Sequence, residues 1–151
     1  MDKKRLVIIG GGFAGSLIAK GLENDFEVIL IDTKDYFEFT PGILRTIVEP
    51  IHIKKIQILH SHYLKHTKII KGKAIAVNKE YVIIKTNGGN KRILFDYLDI
   101  ASGSSYSRII KDENVIAINR AKKLREYHQK LKKAEKIVIV GGGIVGIELA
   151  A

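Results

Sequence analysis

The stretch "RLVIIGGGFAGSLIAK" at residues 5–20 decides the fold. A short apolar, β-branched run reads as a strand buried on both faces, and the apolar positions after the glycines read as a helix packed on a sheet. Between them stands G-x-G-x-x-G, as Gly10, Gly12 and Gly15. The first glycine allows a tight strand-to-helix turn, the second lets a ligand's pyrophosphate approach the backbone, and the third lets helix and strand pack closely. The helix N-terminus adds unpaired N–H groups and the positive end of its dipole.

The same order recurs in "KIVIVGGGIVGIELAA" at residues 136–151, with Gly141, Gly143 and Gly146 in the three places. The first copy also has an acidic partner. "FEVILID" reads as a second buried strand ending at Asp32, 22 residues after Gly10, where a carboxylate can accept hydrogen bonds from the two hydroxyls of an adenosine ribose. Lys34 lies two residues on, where it sits over the adenine, meets a 2′-phosphate or, as the plainer reading, lies in solvent as a loop lysine.

Length and composition set the frame. The 151 residues are enough for one sizeable core, and 46% hydrophobic content suits a globular protein. No apolar run reaches the ~18–20 residues of a membrane span, and "MDKKRLVIIGGG" has no small-residue cleavage site, so a cytoplasmic location is expected. Without cysteine there is no disulfide, thiolate metal site or dithiol relay in these residues. Much of the net charge of +10 falls in "NRAKKLREYHQKLKKAEK". There Leu124, Tyr127, Leu131 and Ala134 recur at helical spacing and the remaining face is mostly Lys and Arg, which reads as a solvated amphipathic helix. No interleaved aromatics suggest stacked bases, and no nucleic-acid partner is expected.

Between the two glycine motifs, "TKDYFEFTPGILRTIVEP" reads as loop passing into helix. "TKIIKGKAIAVNKEYVIIKTNGGNKRILFDYLDIASGS" reads as successive strands turning at "VNKE" and "NGGN", hence a small antiparallel meander. "NVIAI" at residues 114–118 is a further short strand. His60, His62 and His66 in "HSHYLKH" place His62 and His66 on one helical face. Without a carboxylate or cysteine beside them they read as surface residues, and no metal site is expected.

In this order, the first glycine turn, Asp32, the meander, "LDIASGSSY" and "VGGGIVGIELA", the chain resembles flavoproteins with two dinucleotide-binding domains. It is most similar to type II NADH dehydrogenases and apoptosis-inducing-factor-like oxidoreductases. The resemblance covers nearly all of the chain. It implies an α/β, Rossmann-like FAD-binding domain with a parallel sheet, helices and a small meander, incomplete here, followed by the first strand, turn and helix of a second dinucleotide-binding domain. The expected division is 1–112 for the first and 113–151 for the second, which makes the chain an N-terminal fragment whose apolar "KIVIV" end self-associates.

Residue by residue, the resemblance assigns FAD to Gly10, Gly12 and Gly15, to the backbone at Phe13 and Ala14, and to Asp32 flanked by Thr33 and Lys34. Thr40 and Pro41 match a loop that approaches the isoalloxazine. Ala74, Ile75 and Ala76 match a strand whose backbone meets the adenine. Ala101, Ser102 and Gly103 match an "ATG"-like crossing segment, with serine in the place of threonine. NAD(P)H falls to Gly141, Gly143 and Gly146. Glu148 matches a catalytic-site glutamate near nicotinamide and flavin; as a plain structural residue it would be an exposed first-turn glutamate favoured by the helix dipole.

The activity implied is transfer of hydride from NAD(P)H to FAD, with electrons passing to a quinone or similar small acceptor. Two alternatives stand beside it: a sulfide:quinone-type enzyme, and a non-turnover protein that senses redox state through bound FAD and NAD. A domain binding NAD alone is the plainest option. Peripheral membrane contact through residues beyond 151 is compatible with the first two.

Overall fold

In a computed structural model the described residues are 3–104 and 120–151. The expected strand "NVIAI" and the division between residues 112 and 113 lie outside them. Arg5–Ile9 form β1, Phe13–Leu22 α1 and Glu27–Asp32 β2. Next come β3 (Tyr36–Glu38), a 3-10 turn at Thr40–Gly42 and α2 (Arg45–Val48). A second 3-10 turn at Pro50–His52 leads to α3 (Ile53–Ile56), β4 (Gln57–Leu59) and α4 (His60–Tyr63). β5 (Lys68–Lys71), β6 (Lys73–Val77), β7 (Tyr81–Thr86), β8 (Gly89–Leu94) and β9 (Tyr97–Ile100) follow. Beyond the undescribed segment are α5 (Arg120–Lys133) and α6 (Ile144–Ala150).

The main sheet runs β5-β2-β1-β9 with every pair parallel. Counted among parallel strands alone, this is the order 3-2-1-4, half of a doubly wound sheet. The order reverses between β1 and β9, and ligands of such sheets lie outside the carboxyl ends of the strands at that point.

Strand alternation fixes the layers. Leu6 and Ile8 of β1 join Val28 and Leu30 of β2 against α1, where Ala19 and Leu22 meet them. The intervening Val7, Ile29 and Ile31 point the other way, onto Val82 and Ile84 of the antiparallel meander β6-β7-β8. Both faces of the sheet are therefore covered, which explains continuous apolar runs in place of alternation.

Two expectations need correction. The meander is narrower than the sequence reading: "KIIK" and "YLDI" enter the parallel sheet as β5 and β9, and of the expected meander only β6 to β8 pair antiparallel. The stretch after Asp32 is not simply loop and helix, because β3 pairs antiparallel with β4 through Tyr36↔Leu59, Phe37↔Ile58 and Glu38↔Gln57. This pair brackets the short helices and holds their ends together.

A third correction concerns residues 136–140, expected as a strand. They pair with no strand among the described residues, and Val138 and Val140 are 84% and 95% exposed. A strand exists only through a partner's N–H and C=O groups, and apolar, β-branched composition does not supply one.

Helix α5 follows the expected pattern as far as Leu131, whereas Ala134 lies past its end and is exposed. Leu124 is buried among Ile43, Leu44, Ile47, Ile53 and Ile56, Leu131 packs against the same cluster, and His128 Nδ1 donates to the Ile47 carbonyl oxygen at 2.7 Å. Lys122, Arg125, Lys130 and Lys133 are exposed. No helix among the described residues is long and apolar enough to cross a membrane.

The C-terminal end of α1 is tied down by a buried carboxylate. Glu23 receives the Lys20 ammonium at 2.7 Å, the N–H groups of Lys65 and His66 at 2.8 and 2.9 Å, and the Thr67 hydroxyl at 3.2 Å. Burial pushes its pKa up, but these four donors together hold it down at about 2. The loop into β5 is thereby fastened to the helix beneath the glycine turn.

Candidate dinucleotide site

The turn between β1 and α1 has one residue that must be glycine for its backbone. Gly10 sits at φ +105°, and a Cβ there would run into the carbonyl of Ala101 at the end of β9. Its N–H donates to Ile31 O at 2.8 Å, and Ala101 N donates to Ile9 O at 2.9 Å, so three strand ends meet at this point. A Cβ on Gly15 would collide with the Gly10 carbonyl oxygen, which makes this the closest approach of helix to strand.

Gly12 is different. It caps α1 in ordinary extended backbone, no side chain caps the helix, and a Cβ there would have no protein atom within 4 Å. The first turn of α1 carries no acidic residue. Its N–H groups and positive dipole end face open space, a place fitted to a diphosphate.

Asp32 ends β2 beside this turn, half-buried. Oδ2 accepts the Gly11 N–H; Oδ1 accepts the Lys34 N–H at 2.9 Å and the Thr33 hydroxyl at 3.3 Å. A carboxylate has about four lone-pair positions, so capacity remains for a ligand hydroxyl. The Lys34 amine lies 5.8 Å from the centre of the Tyr36 ring, a cation–π contact that draws it toward β3.

The structure brings most of the other expected residues to the same end of the sheet. Ala101, Ser102 and Gly103 follow β9 over Gly10, with Gly103 at φ +69°. Thr40 and Pro41 open the 3-10 turn after β3. Phe13, the first residue of α1, stands edge-on to Phe37 at 5.1 Å and to Phe39 at 5.7 Å, linking the glycine turn to that loop. On β6, Ala74 pairs with Ile84 and Ala76 with Ile83, so Ile75 is the extra residue of a bulge and is exposed. Gly72 N donates to the Asp32 carbonyl oxygen at 2.8 Å, so β6 starts beside the tip of β2.

The second turn repeats the first in backbone detail. Gly141 is at φ +114°, Gly143 caps α6 in extended backbone, and a Cβ on Gly146 would meet the Gly141 carbonyl oxygen. Unlike Gly10, Gly141 has nothing packed over it among the described residues. Val145 leans on the Ile43–Ile56 cluster. Glu148 is exposed and lies in the second turn of α6, not in the first as its plain structural reading required.

Two features escaped the sequence reading: the Phe13, Phe37 and Phe39 cluster, and His60. The helix in "HSHYLKH" spans only His60–Tyr63, so His62 and His66 do not share a helical face, and both are exposed. His60, by contrast, is fully buried behind Gly11. Four apolar or aromatic neighbours in "ILHSHYL" gave a signal of burial that its polar setting obscured. No group of ligating side chains that could hold a metal ion occurs among the described residues.

A parallel sheet in this order, a glycine turn at its reversal point and an acid at the next strand tip define an α/β protein of the dinucleotide-binding class. The chain belongs to the pyridine nucleotide-disulphide oxidoreductase family, whose model matches residues 4–151. It is 38% identical over 150 residues to apoptosis-inducing factor homolog A of Dictyostelium discoideum, covering 98% of this chain and 36% of that protein. To ferroptosis suppressor protein 1 of Xenopus tropicalis it is 34% identical over 154 residues, covering 99% of this chain and 40% of that protein. In fold it is similar to NDH2 of Plasmodium falciparum, solved in complex with NADH, at a TM-score of 0.74 and 20% identity, covering 99% of this chain and 36% of that one. The chain thus spans about two-fifths or less of the length of these relatives. Despite the family's name, the 151 residues contain no cysteine.

Proposed function

We propose that this chain forms the FAD-binding entry and the first NAD(P)H-binding turn of a flavin-dependent NAD(P)H oxidoreductase, passing electrons to a quinone or similar small acceptor. The observation that carries the reading is the pair of glycine turns with matching backbone, each opening an uncapped helix. Residues 1–112 form the FAD part and 113–151 the start of the NAD(P)H part.

The first turn fits FAD. Open space over Gly12 receives the pyrophosphate, which the N–H groups at Phe13 and Ala14 bind; spare lone pairs on Asp32 receive the ribose hydroxyls. The backbone at the Ala74–Ala76 bulge meets the adenine, while Thr40, Pro41 and the Ala101–Gly103 crossing face the flavin end. Bound FAD supplies the hydride and electron chemistry, so the protein's task is to hold and orient the reactants. Gly141, Gly143 and Gly146 hold the pyrophosphate of NAD(P)H, and exposed Glu148 stands on the same helix, available to a nicotinamide.

The full-length protein, purified, is expected to carry flavin absorption that NADH or NADPH bleaches without oxygen and a quinone restores. A protein that binds FAD but never bleaches would leave the redox-sensing alternative; absence of flavin after titration with FAD would overturn the reading. Asp32→Ala is expected to weaken FAD binding roughly tenfold to a hundredfold, the worth of a charged hydrogen bond of ~1.5–3 kcal/mol. Equal affinity in the folded variant would remove Asp32 from the site. The 151-residue polypeptide alone is expected to self-associate through Val138, Val140 and Ile144, which are all strongly exposed. Light scattering that falls on replacing these by lysine checks it.

A further inference from the structure

The polar chain behind the first glycine turn has a fixed direction. The Gly11 carbonyl oxygen only accepts, so the Ser16 hydroxyl donates to it at 2.9 Å. Ser16 Oγ in turn accepts the Tyr63 O–H at 2.9 Å, and the Tyr63 oxygen accepts from His60 Nδ1 at 2.6 Å. Neutral His60 therefore carries its proton on Nδ1 and presents a bare lone pair at Nε2. That nitrogen is buried and has no hydrogen-bond partner. A Cβ built on Gly11 would lie 2.5 Å from His60 Nε2 and 2.9 Å from Asp32 Oδ2, so both atoms face the same small space beside Gly11. The Gly11 N–H is the donor that Asp32 Oδ2 already has.

We propose that His60 is a proton-dependent positioning residue for Asp32 and the glycine turn. With Nε2 bare, Asp32 Oδ2 is left to Gly11 and to a ligand hydroxyl. One proton taken from solvent onto Nε2 makes the ring a second donor to Oδ2, which draws that oxygen inward and competes with the ligand. The ligand part of this inference rests on the FAD reading above; the coupling of His60 to Gly11 and Asp32 does not.

The groups around the ring set the sign of the pH dependence. Burial disfavours the imidazolium most, Asp32 at the tip of β2 favours it, and in the loop after β2 Lys34 disfavours it while Asp35 favours it. The outcome is a pKa below the usual histidine value. From α4, Tyr63 contributes a hydroxyl whose pKa burial pushes up, so it remains a donor; α1 contributes the neutral Ser16. At neutral pH the ring is uncharged and Asp32 is open to ligand, and acidification reverses both. By linkage, a ligand on Asp32 lowers the histidine's proton affinity further.

Two measurements on the full-length protein test this. In ligand-free protein, the Gly11 amide resonance is expected to shift with the same midpoint as the His60 ring nitrogens. His60→Asn keeps an N–H for Tyr63 and cannot take a proton, and it should abolish that inflection. FAD affinity is expected to fall as pH is lowered from about 8 through the His60 midpoint read from the ring nitrogens, reaching a roughly tenfold loss well below that midpoint in the native protein, the loss of one hydrogen bond, and less than about twofold in His60→Asn. A Gly11 amide blind to the ring titration, or a His60→Asn pH profile that matches the native one, overturns the proposal. Should the asparagine variant not fold, Tyr63→Phe frees Nδ1 and must move the Gly11 midpoint; an unmoved midpoint likewise overturns it. A protein whose Gly11 amide tracks the ring but which takes up no FAD at about pH 8 supports the coupling and removes the FAD reading alone.

Discussion

Valine at Gly12 is expected to fold as the native chain does and to bind FAD more than about a hundredfold more weakly, while alanine at Gly15 is expected to damage the fold itself. Both residues are in one short motif, and the structure separates their tasks. Gly12 has backbone angles open to any residue and no protein atom within 4 Å of a Cβ beyond its chain neighbours, so the added side chain enters open space. It stands instead over the helix N–H groups, where a pyrophosphate must approach. At Gly15 the Cβ collides with the Gly10 carbonyl, and only separation of α1 from β1 relieves it. Overpacking of this kind costs about 3 kcal/mol, a large share of a domain's stability. Thermal unfolding beside flavin titration distinguishes the two. Native FAD affinity in Gly12→Val would show that the ligand does not lie on this turn, and native stability in Gly15→Ala would show that helix and strand are not held at this distance.

The second large effect is expected at Glu23, far from any ligand. Alanine there removes the acceptor from the part-buried N–H groups of Lys65 and His66 and from the Thr67 hydroxyl, a loss of roughly 1–3 kcal/mol. The half-exposed Lys20 contributes less, since water screens its side of the ion pair. The pH dependence has a definite sign. With a folded pKa of about 2 against an ordinary 4.5, the unfolded chain binds more protons between these values, so Glu23 stabilises the fold fully above about pH 4.5. That stabilisation is lost as pH falls from there towards 2. Glu23→Gln should flatten this part of the stability curve. Denaturant titrations from pH 6 to pH 2 check it, and parallel curves for native and glutamine proteins would rule out the buried carboxylate as the source.

The glycine turns were legible from residues alone, and the second turn shows why. Residues 136–140 have no strand partner among the described residues, yet Gly141, Gly143 and Gly146 take the backbone seen at Gly10, Gly12 and Gly15. A left-handed glycine followed by an extended cap and a helix is set by neighbours within six residues. The buried runs of β1 and β2, the turns of the meander and the Leu124 and Leu131 stripe of α5 were readable for the same reason.

What the tertiary structure alone decided depends on residues far apart in the chain. "KIIK" of β5 and "YVIIKT" of β7 both mix isoleucine with lysine, and only the position of β2 draws β5 into the parallel sheet. The three-residue β3 and β4 are too short for a period to show, and each exists because the other lies beside it. "KIVIV" has a strand's sequence without a strand's hydrogen bonds. His60 resembled its exposed neighbours until α1, β2 and α4 came together around it, giving Tyr63, Ser16 and Gly11 as its surroundings. Local sequence fixes dihedral angles and which face is apolar, whereas burial and pairing are properties of the space between elements, and that space exists only after the chain has closed around it.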